Sequence, residues 1–136
     1  MAACSGVTCA GSVRLIGNLI RNSVPFGRLS STEIVPPAEI EDAVRVAWSS
    51  PSVCNRQPWA IALVQSPEVI QALLRLQAGN RGFEQTITNL LVVLADTKAF
   101  VEDYEIFEPF VDAGIFSGAL VNALHARNIG SCCFNL

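Results

Sequence analysis

Apolar positions along this chain alternate between two kinds of pattern. Ile40, Ala43, Val44, Ala47 and Trp48 recur at the i, i+3, i+4, i+7 and i+8 spacing of one helical face. Glu39, Glu41, Asp42 and Arg45 occupy the wet side, and Pro36 and Pro37 stand where a first helical turn tolerates proline. The unbroken apolar run Trp59 to Val64 predicts a buried strand, and Leu90 to Ala95 a second. Between them Ser66 and Pro67 open a helix with Val69, Ile70, Leu73 and Leu74 facing inward, broken by Gly79 to Gly82. A long helix is predicted from about Pro109 to Arg127, stopped by Asn128 and Gly130. It is apolar nearly all round, which predicts burial on most sides.

The flanks are less regular. Residues 1–11 read as a loose leader, and residues 12–136 as one domain. Ser12 is a possible N-cap for a helix with Leu15, Ile16, Leu19 and Ile20 on one face, followed by a loop from Asn22 to Ser31. Ser131 to Leu136 reads as a third strand, while Asp96 to Glu108, acidic and aromatic, has no assignable element. Strands alternating with helices predict a layered α/β or α+β domain, and three strands are few for its sheet.

Composition narrows the partners. Of 136 residues, 51% are hydrophobic and 15% charged, an apolar excess that predicts a surface covered by another chain. A net charge of -3 with no basic stripe argues against nucleic acid. The first residues lack the basic start of a signal peptide, and Ala113 to Leu124 is too short to span a bilayer. No membrane association is therefore expected. The five cysteines, Cys4, Cys9, Cys54, Cys132 and Cys133, fit neither a zinc site nor a disulfide framework. They are expected as buried thiols in a reducing, cytoplasmic setting.

The chemistry concentrates in Pro51-Ser52-Val53-Cys54-Asn55-Arg56-Gln57-Pro58-Trp59, between an amphipathic helix and a buried strand. The loop offers a hydroxyl, two carboxamides and several backbone amides, and it has no His or carboxylate for a metal. Carboxamides donate and accept, as the edge of a heteroaromatic ring with alternating donors and acceptors requires. The plainer alternative is a polar connection whose Asn and Gln satisfy their own backbone.

With Pro51, Ser52, Asn55, Gln57, Pro58 and Trp59 at its fixed positions, this string resembles the pattern of the flavin-dependent nitroreductase family. Arg21-Asn22-Ser23-Val24-Pro25 is similar to the family's phosphate-holding segment, with Asn22 and Pro25 replacing basic residues. Gly79-Asn80-Arg81-Gly82-Phe83 looks closest to a branch linked to bacterial polysaccharide gene clusters. Asp112 through His125 resembles the family's long interface helix, where Gly114 and Gly118 would allow close helix contact.

The resemblance implies a three-layer α/β/α fold of α+β class with a central mixed sheet, incomplete on its C-terminal side, where full members continue. It implies an FMN-dependent oxidoreductase, a homodimer passing electrons from NAD(P)H to a small-molecule acceptor such as a nitroaromatic or quinone. Arg21 and Ser23 would hold the flavin phosphate. Pro51, Ser52, Val53, Asn55, Gln57 and Asn80 would contact the rest of the flavin, the loop reaching across the dimer seam. No side chain is expected as a catalytic acid or base, because the flavin carries the redox chemistry. His125 is expected as a packed or interface residue. The competing expectations are a shortened, non-catalytic dimerising module and a dehalogenase-like or ring-cleaving relative on the same scaffold.

Overall fold

The computed structural model describes residues 34–77 and 79–134, together with the backbone of 13–15 and 17–19. In chain order the strands and helices are β1 (Val13–Leu15), β2 (Gly17–Leu19), α1 (Pro37–Ala47), β3 (Trp59–Val64), α2 (Pro67–Leu74), β4 (Asn89–Ala95) and α3 (Glu108–His125). The leader, the Asn22 to Ser31 loop, and both Arg21 and Ser23 lie outside the described residues.

The centre is the antiparallel pair β3 and β4, in register from Trp59 opposite Ala95 to Val64 opposite Leu90. Their side chains alternate between faces. Trp59, Ile61, Leu63, Leu91 and Val93 join the core built with α1 and α3. Val64 and Leu90 join Ile70, Leu74 and Ile87 on the α2 side. The domain is therefore α+β in three layers, with α1 and α3 on one face and α2 on the other.

Local chemistry explains the ends of these elements. The Ser66 hydroxyl accepts from the Val69 N–H at 3.4 Å, capping α2. The α3 helix stops where Asn128 turns left-handed, φ 58°. There the Ile129 N–H reaches the Leu124 carbonyl at 3.0 Å and the Asn128 N–H reaches that of His125 at 2.9 Å. That bond pair, with Leu124 and Ile129 both buried, is a Schellman stop built on asparagine.

Several expectations are corrected. The helix proposed around Leu15 and Leu19 is instead two short strands. They pair with the outer edges of the central pair, in the order β1-β3-β4-β2. Gly17 and β-branched Val13 weaken a helix there, and the bare sheet edges need hydrogen-bond partners. Every pairing among the described strands is antiparallel, where a mixed sheet was expected. The chain between α2 and β4 returns to the end where β3 finishes, so β4 runs back along it. Residues 131–134 form no strand, because both edges of the central pair are taken. Phe134 stacks on Phe83 instead, ring centroids 5.8 Å apart.

The α3 helix is buried on one stripe only, through Asp112, Phe116, Leu120 and Leu124. Its opposite stripe is apolar and open, including Phe110, Val111 and Ile115. A Cβ at Gly114 or Gly118 would meet nothing within 4 Å, so neither glycine serves close packing inside the chain. His125 is exposed. Among the described residues, no helix is long and apolar enough to cross a membrane.

Candidate functional site

The loop from Ser49 to Pro58 is held first at its ends. Trp48 at the end of α1 and Trp59 at the start of β3 both pack on Phe116, centroids 5.7 and 5.0 Å away. Inside the loop, Val53–Asn55 forms a single tight turn, with the Asn55 N–H on the Ser52 carbonyl and the Arg56 N–H on that of Val53. The Ser52 hydroxyl accepts from the Gln57 N–H at 2.9 Å, closing the bend and leaving its own proton to give.

This course is strained. Cys54, Asn55 and Gln57 have φ of 50°, 54° and 48°. Asparagine tolerates that region, but Cys and Gln pay roughly 1–2 kcal/mol each for it. Such strain persists only where surrounding contacts impose it.

The imposing contacts come from the chain before and within α3. Both carboxylate oxygens of Asp112, itself 1% exposed, accept from the Val53 N–H at 3.2 Å. Arg56 donates to Glu105 at 2.5 Å and lies over the Phe100 ring, 5.4 Å from its centroid. Glu105 is buried, and its second oxygen accepts from the N–H groups of Val101 and Glu102. The Arg56 hydrogen bond, reinforced by those backbone donors against burial, holds the Glu105 carboxyl below the ordinary carboxylate range. The same hydrogen bond raises Arg56, which stays charged. The stretch 96–108, unassigned from sequence, thus folds as two single turns, Thr97–Ala99 and Asp103–Glu105, the second closed by Glu102 and Glu105 as a capping box.

What remains free is polar and gathered. Asn55 and Gln57 are both exposed and touch, with Gln57 Nε2 donating to Asn55 Oδ1 at 3.2 Å. That bond leaves Asn55 Nδ2 to donate and Gln57 Oε1 to accept. Of the expected flavin contacts, Ser52, Asn55 and Gln57 are brought together and Pro51 is exposed beside them. The Val53 N–H is taken by Asp112. Asn80 uses its amide nitrogen to hold the Leu74 carbonyl at the end of α2, at 2.7 Å. A cavity of about 360 Å³ lies elsewhere, lined by Leu73, Leu90, Val92, Ser117, Leu120 and Phe134 among others. Among the described residues, no group of three or more His, Cys, Asp or Glu could hold a metal.

Asp112, Glu105 and Phe116 are the site residues that sequence reasoning missed. Asp112 did leave a signal, as the one acid inside a helical stretch otherwise uncharged from Phe110 to Leu124. A charge so placed is either buried with a partner or marks an open face. Glu105, in a run of acids, left none.

The model of the nitroreductase family matches residues 28–86, which contain the whole loop. No curated protein matches the chain. Among solved structures, an FMN-dependent nitroreductase from Clostridium difficile is similar at 22% identity and a TM-score of 0.57, covering 88% of this chain and 54% of its own. The NfrA1 nitroreductase of B. subtilis aligns at 17% identity and a TM-score of 0.63, over 88% of this chain and 49% of its own. A Clostridium acetobutylicum protein described as a candidate NADH oxidase gives 22% and 0.63, over 86% and 61%. This chain therefore spans between about half and three fifths of the length of these proteins. Layer order, helix-to-strand loop and these likenesses agree on one conclusion: the chain has the nitroreductase-like α+β fold, with the family's model matching its first helix and loop.

Proposed function

We propose that this chain is a nitroreductase-type flavoprotein subunit. In this reading the exposed face of the 52–57 loop takes the ring of FMN. The observation that carries it is the exposed carboxamide pair of Asn55 and Gln57, hydrogen-bonded to each other on a strained loop with Asn55 Nδ2 and Gln57 Oε1 left to pair. The pyrimidine edge of a flavin alternates carbonyl and N–H groups, so a donor and an acceptor on two neighbouring carboxamides suit it. The Ser52 proton adds a third contact to the ring or its ribityl chain. Asn80 contributes through its carbonyl oxygen, and Arg21 and Ser23 hold the phosphate.

Bound FMN would accept hydride from NADH or NADPH and pass electrons to an electron-poor acceptor, a nitroaromatic or quinone by default. The chain's residues orient the ring and shield it from water. A homodimer completes the site, because the loop face is open to solvent in one chain. Phe107 and Phe110, 69% and 75% exposed, with Tyr104, Val111 and Ile115, form the apolar surface for the second copy. That such a pair works in the cytoplasm belongs to the same proposal.

The test is the visible spectrum of the purified protein incubated with FMN and then, without oxygen, with NADPH or NADH. A retained flavin band that bleaches on reductant supports the oxidoreductase. A second reading, an associating module without redox activity, is favoured by one observation: the cavity of about 360 Å³ does not adjoin the loop. A colourless dimer that takes up no FMN would establish that reading instead.

A further inference from the structure

We infer that Asp112 is a positioning residue, with Glu105 as its second: two buried carboxylates hold the ligand-facing loop in its left-handed course. The inference deepens the flavoprotein reading and rests on it only for what the loop binds.

The two anchors bracket the strained segment. Asp112 takes the N–H of Val53 with both oxygens, and Glu105 takes the guanidinium of Arg56. Cys54 and Asn55, both at positive φ, lie between those anchored residues, and Gln57 follows directly. Without outside restraint, Cys54 and Gln57 would leave the left-handed region, and Gln57 would carry its carboxamide away from Asn55.

The chemistry of Asp112 points the same way. Among the described residues its hydrogen-bond donor is the Val53 N–H, and no cation pairs with it. An apolar side chain would suit a position 1% exposed in a packed helix better than a carboxylate. What the carboxylate adds is a charge-assisted hold on one backbone amide of the loop. One turn later on the same stripe, Phe116 fixes Trp48 and Trp59, the two ends of that loop. A single face of α3 thus sets the ends of the loop and its strained middle.

The test combines amide hydrogen exchange with FMN titration on the full chain, for wild type, Asp112→Ala, Asp112→Asn and Glu105→Gln. Exchange at 53–57 is expected to rise about tenfold in Asp112→Ala while that of β3 and β4 stays unchanged. Asp112→Asn keeps the shape and one acceptor oxygen, so it should fall between wild type and Asp112→Ala. FMN affinity should drop about tenfold in Asp112→Ala, recover partly in Asp112→Asn, and the visible band of bound FMN should shift. If Asp112→Ala does not fold, Asp112→Asn and Glu105→Gln carry the same comparison. Unchanged exchange at 53–57 in the folded variants overturns the inference. So does a loosened loop that binds FMN as tightly as wild type. If wild type takes up no FMN, the flavoprotein reading falls, and the exchange measurement alone still decides what Asp112 does.

Discussion

At the scale of single residues, the loop trades stability for presentation. Gln57 at φ 48° bears strain that glycine would not. Relief of about 1–2 kcal/mol, less the 0.5–1 kcal/mol glycine loses in the unfolded chain, leaves Gln57→Gly more stable by up to about 1.5 kcal/mol. Denaturant unfolding should show a higher midpoint in that variant, together with weaker FMN uptake. The Arg56–Glu105 pair gives a pH signature. The folded-state pKa of Glu105 is depressed, so its contribution is present above the ordinary carboxylate range and lost as pH falls through the lowered value. Wild type should therefore exceed Glu105→Gln in stability at pH 7, and the gap should close as pH is lowered below about 4. Unfolding both proteins across that range checks the sign. Ser52, Asn55 and Gln57 stood out through the loop's likeness to the nitroreductase pattern, not through residue type alone, and the fold brings them together. Their backbone strain was not, because positive φ at Cys54 and Gln57 is imposed by partners about 50 or more positions away.

At the scale of elements, α3 is the organiser, and its two faces make separate predictions. Phe116 is fully buried against Trp48 and Trp59. Phe116→Ala should cost about 3–5 kcal/mol by denaturant unfolding and loosen the loop with it. On the outer stripe, Phe107→Ser combined with Phe110→Ser removes exposed apolar surface without touching the core. Sedimentation should show that double variant shifted toward monomer, its melting temperature lowered only by the stabilisation that association gave. The elements α1, β3, α2 and β4 were legible because each carries its own period and punctuation: Pro37, Ser66 and Pro67 mark two starts plainly. Strand pairing was not. Whether Val13–Leu15 becomes a helix turn or an edge strand depends on a neighbour having an open edge. Nor was the apolar all-round character of α3 a sign of burial within one chain.

At the scale of the whole molecule, three layers place one polar loop at the junction of α1, β3 and α3, open to solvent and propped from behind. The layered class followed from the alternation of periodic segments, and the order β1-β3-β4-β2 did not, because register and edge pairing are set between segments distant in sequence. The central claim is that this loop faces a flavin ring. Its most direct test is FMN titration of wild type and Asn55→Leu, followed by quenching of flavin fluorescence. Wild type should saturate, and Asn55→Leu should bind about tenfold more weakly, the worth of one good hydrogen bond, while staying folded with a melting temperature a few degrees lower because leucine is strained at φ 54°. Equal affinity in the two proteins, or no saturation in wild type, would contradict it.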